Sequence, residues 1–179
     1  RRVERGDLLL SGEEEQAIRF CAEKYAHFVL VINSGSALDM AFAERIPGIN
    51  AILYLCQPGG EGGSAFADVI GGKVSPSGKL ADTWAWRYED FPFAGEYSYL
   101  NGDLKNEFYQ EGIYVGYRFF DSFGVEPAYP FGFGLSYTDF AIRCKGISAA
   151  EDGRRVTVRA LVTNIGETFT GREVAQLYV

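Results

Sequence analysis

Two short stretches of this 179-residue sequence hold residues whose types and spacing suit chemistry. The first is Gln57-Pro-Gly-Gly-Glu-Gly-Gly63, set between an apolar run and an amphipathic one. A glycine-rich loop in that position exposes backbone amides at a helix N-terminus, which suits an anion. It equally suits a tight crossover at the carboxyl edge of a sheet, where glycine supplies positive φ or close packing. No Gly-Lys-Ser/Thr follows, and the spacing is not a dinucleotide fingerprint. Composition therefore favours the crossover over a phosphate site.

The second stretch is Tyr109-Gln-Glu-Gly-Ile-Tyr-Val-Gly-Tyr-Arg118. Glu111 is a carboxylate flanked by aromatics, and a carboxyl against apolar rings is pushed toward its neutral form and can act as a general acid. The plainer readings are a surface glutamate or an ion pair with Arg118. On one continuous strand those two would face opposite ways, being an odd number of positions apart. Trp84, Trp86, Tyr109 and Tyr114 are amphipathic rings of the kind that stack on sugars while their edges hydrogen-bond. Most aromatics here must still be core, because 18 of the chain's 27 lie between Trp84 and Tyr137. Glu111 and Tyr109 are the candidate substrate-binding residues, and Glu111 is the one catalytic candidate.

Other chemistries are excluded more easily. His27 is the only histidine and follows a predicted helix C-terminus, which excludes a cluster of histidines on a metal and counts against a hydrolase of Ser-His-Asp type. Cys21, Cys56 and Cys144 lack metal-ligand spacing and read as small buried thiols, which leans toward a reducing, cytoplasmic compartment. The sequence asks for no cofactor and no metal. A net charge of −7 and a pI near 4.8 argue against nucleic acid as a partner. No apolar run reaches the ~18–20 residues that cross a membrane.

The elements that must position these residues follow from periodicity. Ser11-Gly-Glu-Glu14 is a capping box, and Ala17, Ile18, Cys21, Ala22 and Tyr25 continue it at helical spacing. Phe28–Ile32 and Ala51–Cys56 are continuous apolar runs, the pattern of parallel strands buried on both faces. Helices through Leu38, Ala41 and Phe42 and over Ala65–Ile70 complete βαβ units, so residues 1–83 read as α/β. From Trp84 to Tyr137 the texture is long ordered loops around one predicted strand, Ile113–Phe120. Alternation over Phe140–Cys144, Val156–Val162 and Glu173–Val179 predicts the start of an antiparallel sandwich. The chain breaks off there in mid-strand and has no initiating Met, which reads as a fragment.

Four blocks then resemble one family. Gln57–Ile70, Gly72–Leu80 and Glu111–Asp121 resemble the C-terminal α/β domain of glycoside hydrolase family 3. Pro130-Phe-Gly-Phe-Gly-Leu-Ser-Tyr-Thr138 is similar to that family's link into a fibronectin type III-like domain. The blocks stand in family order and span essentially the whole chain. The resemblance implies a sandwich-like α/β domain over residues 1–135, with a mainly parallel sheet flanked by helices. Residues 136–179 would begin a truncated antiparallel β-sandwich of fibronectin type.

By the same resemblance the parent would be a retaining, exo-acting β-glycosidase, β-glucosidase-like, with a carbohydrate substrate. Its aspartate nucleophile would lie in a preceding (β/α)8 barrel that 179 residues cannot hold. The acid/base of many members sits in a Gly-Glu-Gly-x-Asp-Arg-like stretch at whose end Arg1 would fall, so no catalytic residue carries over. Two rivals stay open: a non-catalytic carbohydrate-binding or docking module, and a phosphate or nucleotide binder using Gly59–Gly63.

Overall fold

The computed structural model describes residues 5, 8–96 and 102–178, so Arg1 lies outside it. Helix α1 (Gly12–Lys24) starts where the capping box predicts. Ser11 Oγ accepts from the Glu14 amide at 3.1 Å while the Ser11 amide donates to Glu14 Oε2 at 2.8 Å. Glu13, Glu14 and Glu15 in the first turn and Lys24 in the last complement the helix dipole. β1 (Val29–Ile32), α2 (Ala41–Arg45), β2 (Ala51–Tyr54) and α3 (Gly62–Ile70) follow in order.

The two strands pair in parallel, Val29 opposite Ala51 and Ile32 opposite Tyr54, and the Leu55 amide extends the ladder to Ile32 O at 2.8 Å. The expected parallel α/β architecture is present. Among the described residues this sheet has two strands, so β1 is buried only at Ile32 and not on both faces along its length.

The chain divides into two compact units, residues 1–62 with 80–131 and residues 63–79 with 132–179. In the first, Ile32, Met40, Phe42, Ile46 and Trp84 form the core, with Leu10 and Ile18 packed against it. Trp84 arrives there by exchanging backbone hydrogen bonds with Tyr129 at 2.8 and 3.1 Å. Its ring then meets Tyr54 edge-on at 4.9 Å, and Trp86, partly buried, packs against the same core cluster. This bridge folds the aromatic segment back onto the sheet.

The predicted strand Ile113–Phe120 does not form. Gly112 and Gly116 both adopt φ +59°, a turn closes from the Tyr114 amide to Glu111 O at 2.9 Å, and α4 (Tyr117–Phe123) begins directly afterwards. Gly124 ends it in the left-handed conformation. The aromatics that looked like β alternation pack at helical spacing instead: Phe119 stands over Phe123 at 5.0 Å, and Phe120 is buried against Phe91 at 5.8 Å.

In the second unit β3 (Phe140–Ala149) and β4 (Val156–Asn164) pair antiparallel, Phe140 opposite Asn164, with an irregularity between Cys144 and Gly146. Residues 173–178 form no strand; Glu173 is held instead by Lys79 at 3.1 Å. Lys79 Nζ also donates to Gly134 O at 2.6 Å, and a Cβ on Gly134 would meet Gly78 O, so glycine is required there. Tyr137 Oη donates to Val69 O at 2.8 Å.

The cysteines are not the buried thiols expected: Cys21 is half-buried, and Cys56 and Cys144 are exposed. Cys56 falls beyond the end of β2, and Cys144 sits on a ribbon whose residues are mostly exposed. Among the described residues no helix is long and apolar enough to cross a membrane, and no acidic, histidine or cysteine group could hold a metal.

Candidate functional site

The carboxyl ends of β1 and β2 carry two loops that touch. Asn33 Oδ1 accepts from the Gln57 amide at 3.0 Å, and Gly35 leaves room for the Gln57 side chain, whose Oε1 would lie 2.6 Å from a Cβ there. Ser34, buried, donates through its hydroxyl to Ser36 O at 2.8 Å and shapes the first loop. Cys56 and Gln57 adopt φ +50° and +49°, a left-handed conformation costing about 1–2 kcal/mol per residue for anything but glycine. The Gly62 amide donates to Gly59 O at 2.9 Å, and the Pro58 ring sits where a Gly62 Cβ would be. Two of the loop's amides, those of Gln57 and Gly62, are thus already occupied, while Gly59, Gly60 and Gly63 stand in open space.

A second feature of the first unit is a cavity of about 410 Å³ lined chiefly by Arg5, Glu15, Asp39, Arg45, Arg87 and Glu89. Glu15 gathers guanidinium groups from Arg19 at 2.8 Å, Arg5 at 3.6 Å and Arg45 at 3.9 Å. The Arg19 hydrogen bond foremost holds its carboxyl below the usual range. Burial pushes Asp39 the other way, above its ordinary value, against the hydrogen bond it accepts from the Ala41 amide at 3.0 Å. The cavity wall thus carries one carboxylate whose anion the arginines stabilise and another, Asp39, whose anion burial disfavours. Sequence reasoning missed Asp39. Its only local signal is its place two residues before α2, which reads as a capping role.

Neither Glu111 nor Tyr109 lines this cavity. Glu111 is partly exposed at the head of the turn before Tyr114, and among the described residues it forms no ion pair with Arg118, whose guanidinium lies over the Tyr117 ring at 5.4 Å. Tyr109 is 89% exposed. Of the four amphipathic aromatics, Trp84 (2% exposed) and Trp86 belong to the core, while Tyr109 and Tyr114 are surface rings.

Residues 2–117 match the family model described as the glycosyl hydrolase family 3 C-terminal domain. The chain belongs to glycosyl hydrolase family 3. The relation runs past residue 117: a β-glucosidase of Ruminococcus albus is 38% identical over 175 residues, 97% of this chain and 18% of that protein. A β-glucosidase of Bacteroides ovatus is 42% identical over 158 residues, covering 86% and 20%. Among solved structures, a Paenibacillus barengoltzii β-glucosidase superposes with a TM-score of 0.86 at 32% identity, over 94% of this chain and 18% of that one. β-Glucosidase 3B of Thermotoga neapolitana, solved with glucose, gives 0.81 at 34% identity, over 93% and 23%. This family 3 chain therefore spans about a fifth of the length of its relatives, and its parallel strand pair, helices and antiparallel ribbon are those of the corresponding C-terminal region.

Proposed function

We propose that this chain is the second-domain portion of a retaining, exo-acting β-glycosidase of β-glucosidase type, supplying one wall of an active site that a (β/α)8 barrel of the same protein completes. Residues 1–135 form the α/β domain and 136–179 begin a fibronectin type III-like one. The observation that carries the reading is similarity along nearly the whole chain to one segment of proteins named β-glucosidases. Retention needs two carboxyl groups only ~5–5.5 Å apart, one attacking the anomeric carbon and one protonating the leaving oxygen. Two facing walls meet that need when each brings one carboxyl. Tyr109 and Glu111 contribute to the substrate side of this wall.

The test is the intact protein on an aryl β-glucoside, with the first-formed anomer followed by NMR. Turnover giving β-glucose first supports the proposal, and α-glucose first overturns retention. Binding of cellobiose without hydrolysis would replace the proposal with a non-catalytic carbohydrate-binding module, a reading that the exposed ring of Tyr109 favours.

A further inference from the structure

Cys56 and Gln57 are two successive non-glycine residues in left-handed backbone at the carboxyl ends of β1 and β2. Such conformations persist only where the surroundings over-determine them. Here the neighbouring crossover does so. Asn33 Oδ1 holds the Gln57 amide at 3.0 Å, and beneath the Gln57 side chain that same crossover carries Gly35, where a Cβ would stand 2.6 Å from Oε1.

The outcome is an exposed carboxamide seated over a glycine, at the edge where open parallel sheets take ligands. Among the described residues nothing hydrogen-bonds that carboxamide. It offers two donors and an acceptor in one plane and carries no charge. That set pairs with neighbouring hydroxyls of a sugar and has nothing to neutralise an anion.

We infer that Gln57 is a substrate-contacting, specificity-determining residue, and that Asn33 is its positioning residue, fixing the left-handed backbone so that the carboxamide meets a pair of sugar hydroxyls. This rests on the glycosidase reading above.

Steady-state kinetics of the intact protein on an aryl β-glucoside and its mono-deoxy analogues tests it. Gln57→Gly suits the left-handed backbone, so its thermal midpoint does not fall, yet KM rises roughly 3- to 10-fold with a smaller change in kcat. The deoxy substrate lacking the contacted hydroxyl shows no such rise, a signature that a purely structural residue does not produce. Asn33→Ala raises KM in the same direction, and Asn33→Asp, which keeps the acceptor oxygen, restores it. Wild-type KM in Gln57→Gly, an equal effect on every deoxy analogue, or failure of Asn33→Asp to rescue overturns the inference while an active wild type leaves the glycosidase reading standing. An intact wild type that hydrolyses no β-glucoside sinks that reading, and this one with it.

Discussion

Lys79 is held from two sides, by Gly134 O at 2.6 Å and by Glu173 at 3.1 Å, with both charged side chains less than a fifth exposed. Removing one partner of a half-buried pair strands the other charge, so Lys79→Ala should lower stability by about 1–3 kcal/mol, between the exposed and buried limits. Denaturant titration would show it.

The pair also sets an acid dependence. The Val174 amide, at 2.8 Å, and then Lys79 hold the Glu173 carboxyl below its usual range. A depressed folded value means the stabilisation is complete above the unfolded carboxylate value of about 4.3 and is lost as pH falls through the folded one. The thermal midpoint should therefore drop on acidification below about pH 5. Glu173→Gln should flatten that slope without abolishing it, because Glu15, depressed chiefly by its Arg19 hydrogen bond, titrates with the same sign.

Glu111 makes a third case at this scale. On the substrate-side role proposed above, Glu111→Gln in the intact protein should weaken substrate binding or stability and leave substantial turnover, while the turn from the Tyr114 amide to the backbone oxygen of residue 111 stays intact. Were it the general acid, turnover would fall ~10²–10⁴-fold, much less for good leaving groups, and azide would restore it.

At the scale of elements, what was legible in the sequence was whatever is decided locally. The Ser11–Glu14 box is complete within four residues, and the structure builds it as read. Ser11→Ala should accordingly cost about 1 kcal/mol, visible as loss of helical ellipticity at lower denaturant. The strands around Val31 and Leu53 were legible because an unbroken apolar run needs cover whatever its partner. Residues 113–120 were misread because alternation and helical spacing coincide when aromatics crowd a short segment. What decided the outcome was Gly112 and Gly116 at positive φ, and then Gly124 closing the helix that follows. Residues 173–178 carry a β pattern, but a strand needs an edge to pair with, and the salt bridge to Lys79 fixes Glu173 elsewhere. The 57–63 loop reads from composition as a crossover, and the structure sets it between β2 and α3 with Gly62 as its one closely packed glycine. Titration with ATP or phosphate should leave the amide resonances of Gly59, Gly60, Gly62 and Gly63 unshifted, since the Gly62 amide is already bonded to Gly59 O and no lysine follows the loop directly.

For the whole molecule the family was legible where the active site was not, and the two have different physical origins. Family resemblance lives in crossovers, caps and glycine turns that this chain contains. A glycosidase site lives in a distance between two carboxyl groups, and that distance belongs to a pair of walls. Glu111 was beyond assignment from sequence, because a lone carboxylate gains a role only from what faces it. The chain accounts for about a fifth of the length of relatives named β-glucosidases. If the nucleophile lies in the remaining four-fifths, losing it removes most of the rate, since groups acting as a unit fail together. The purified 179-residue chain should therefore show no turnover of an aryl β-glucoside above background, while the intact protein turns it over under the same conditions. Activity of the isolated chain comparable to the intact protein would place both carboxyls within these residues and refute a shared active site.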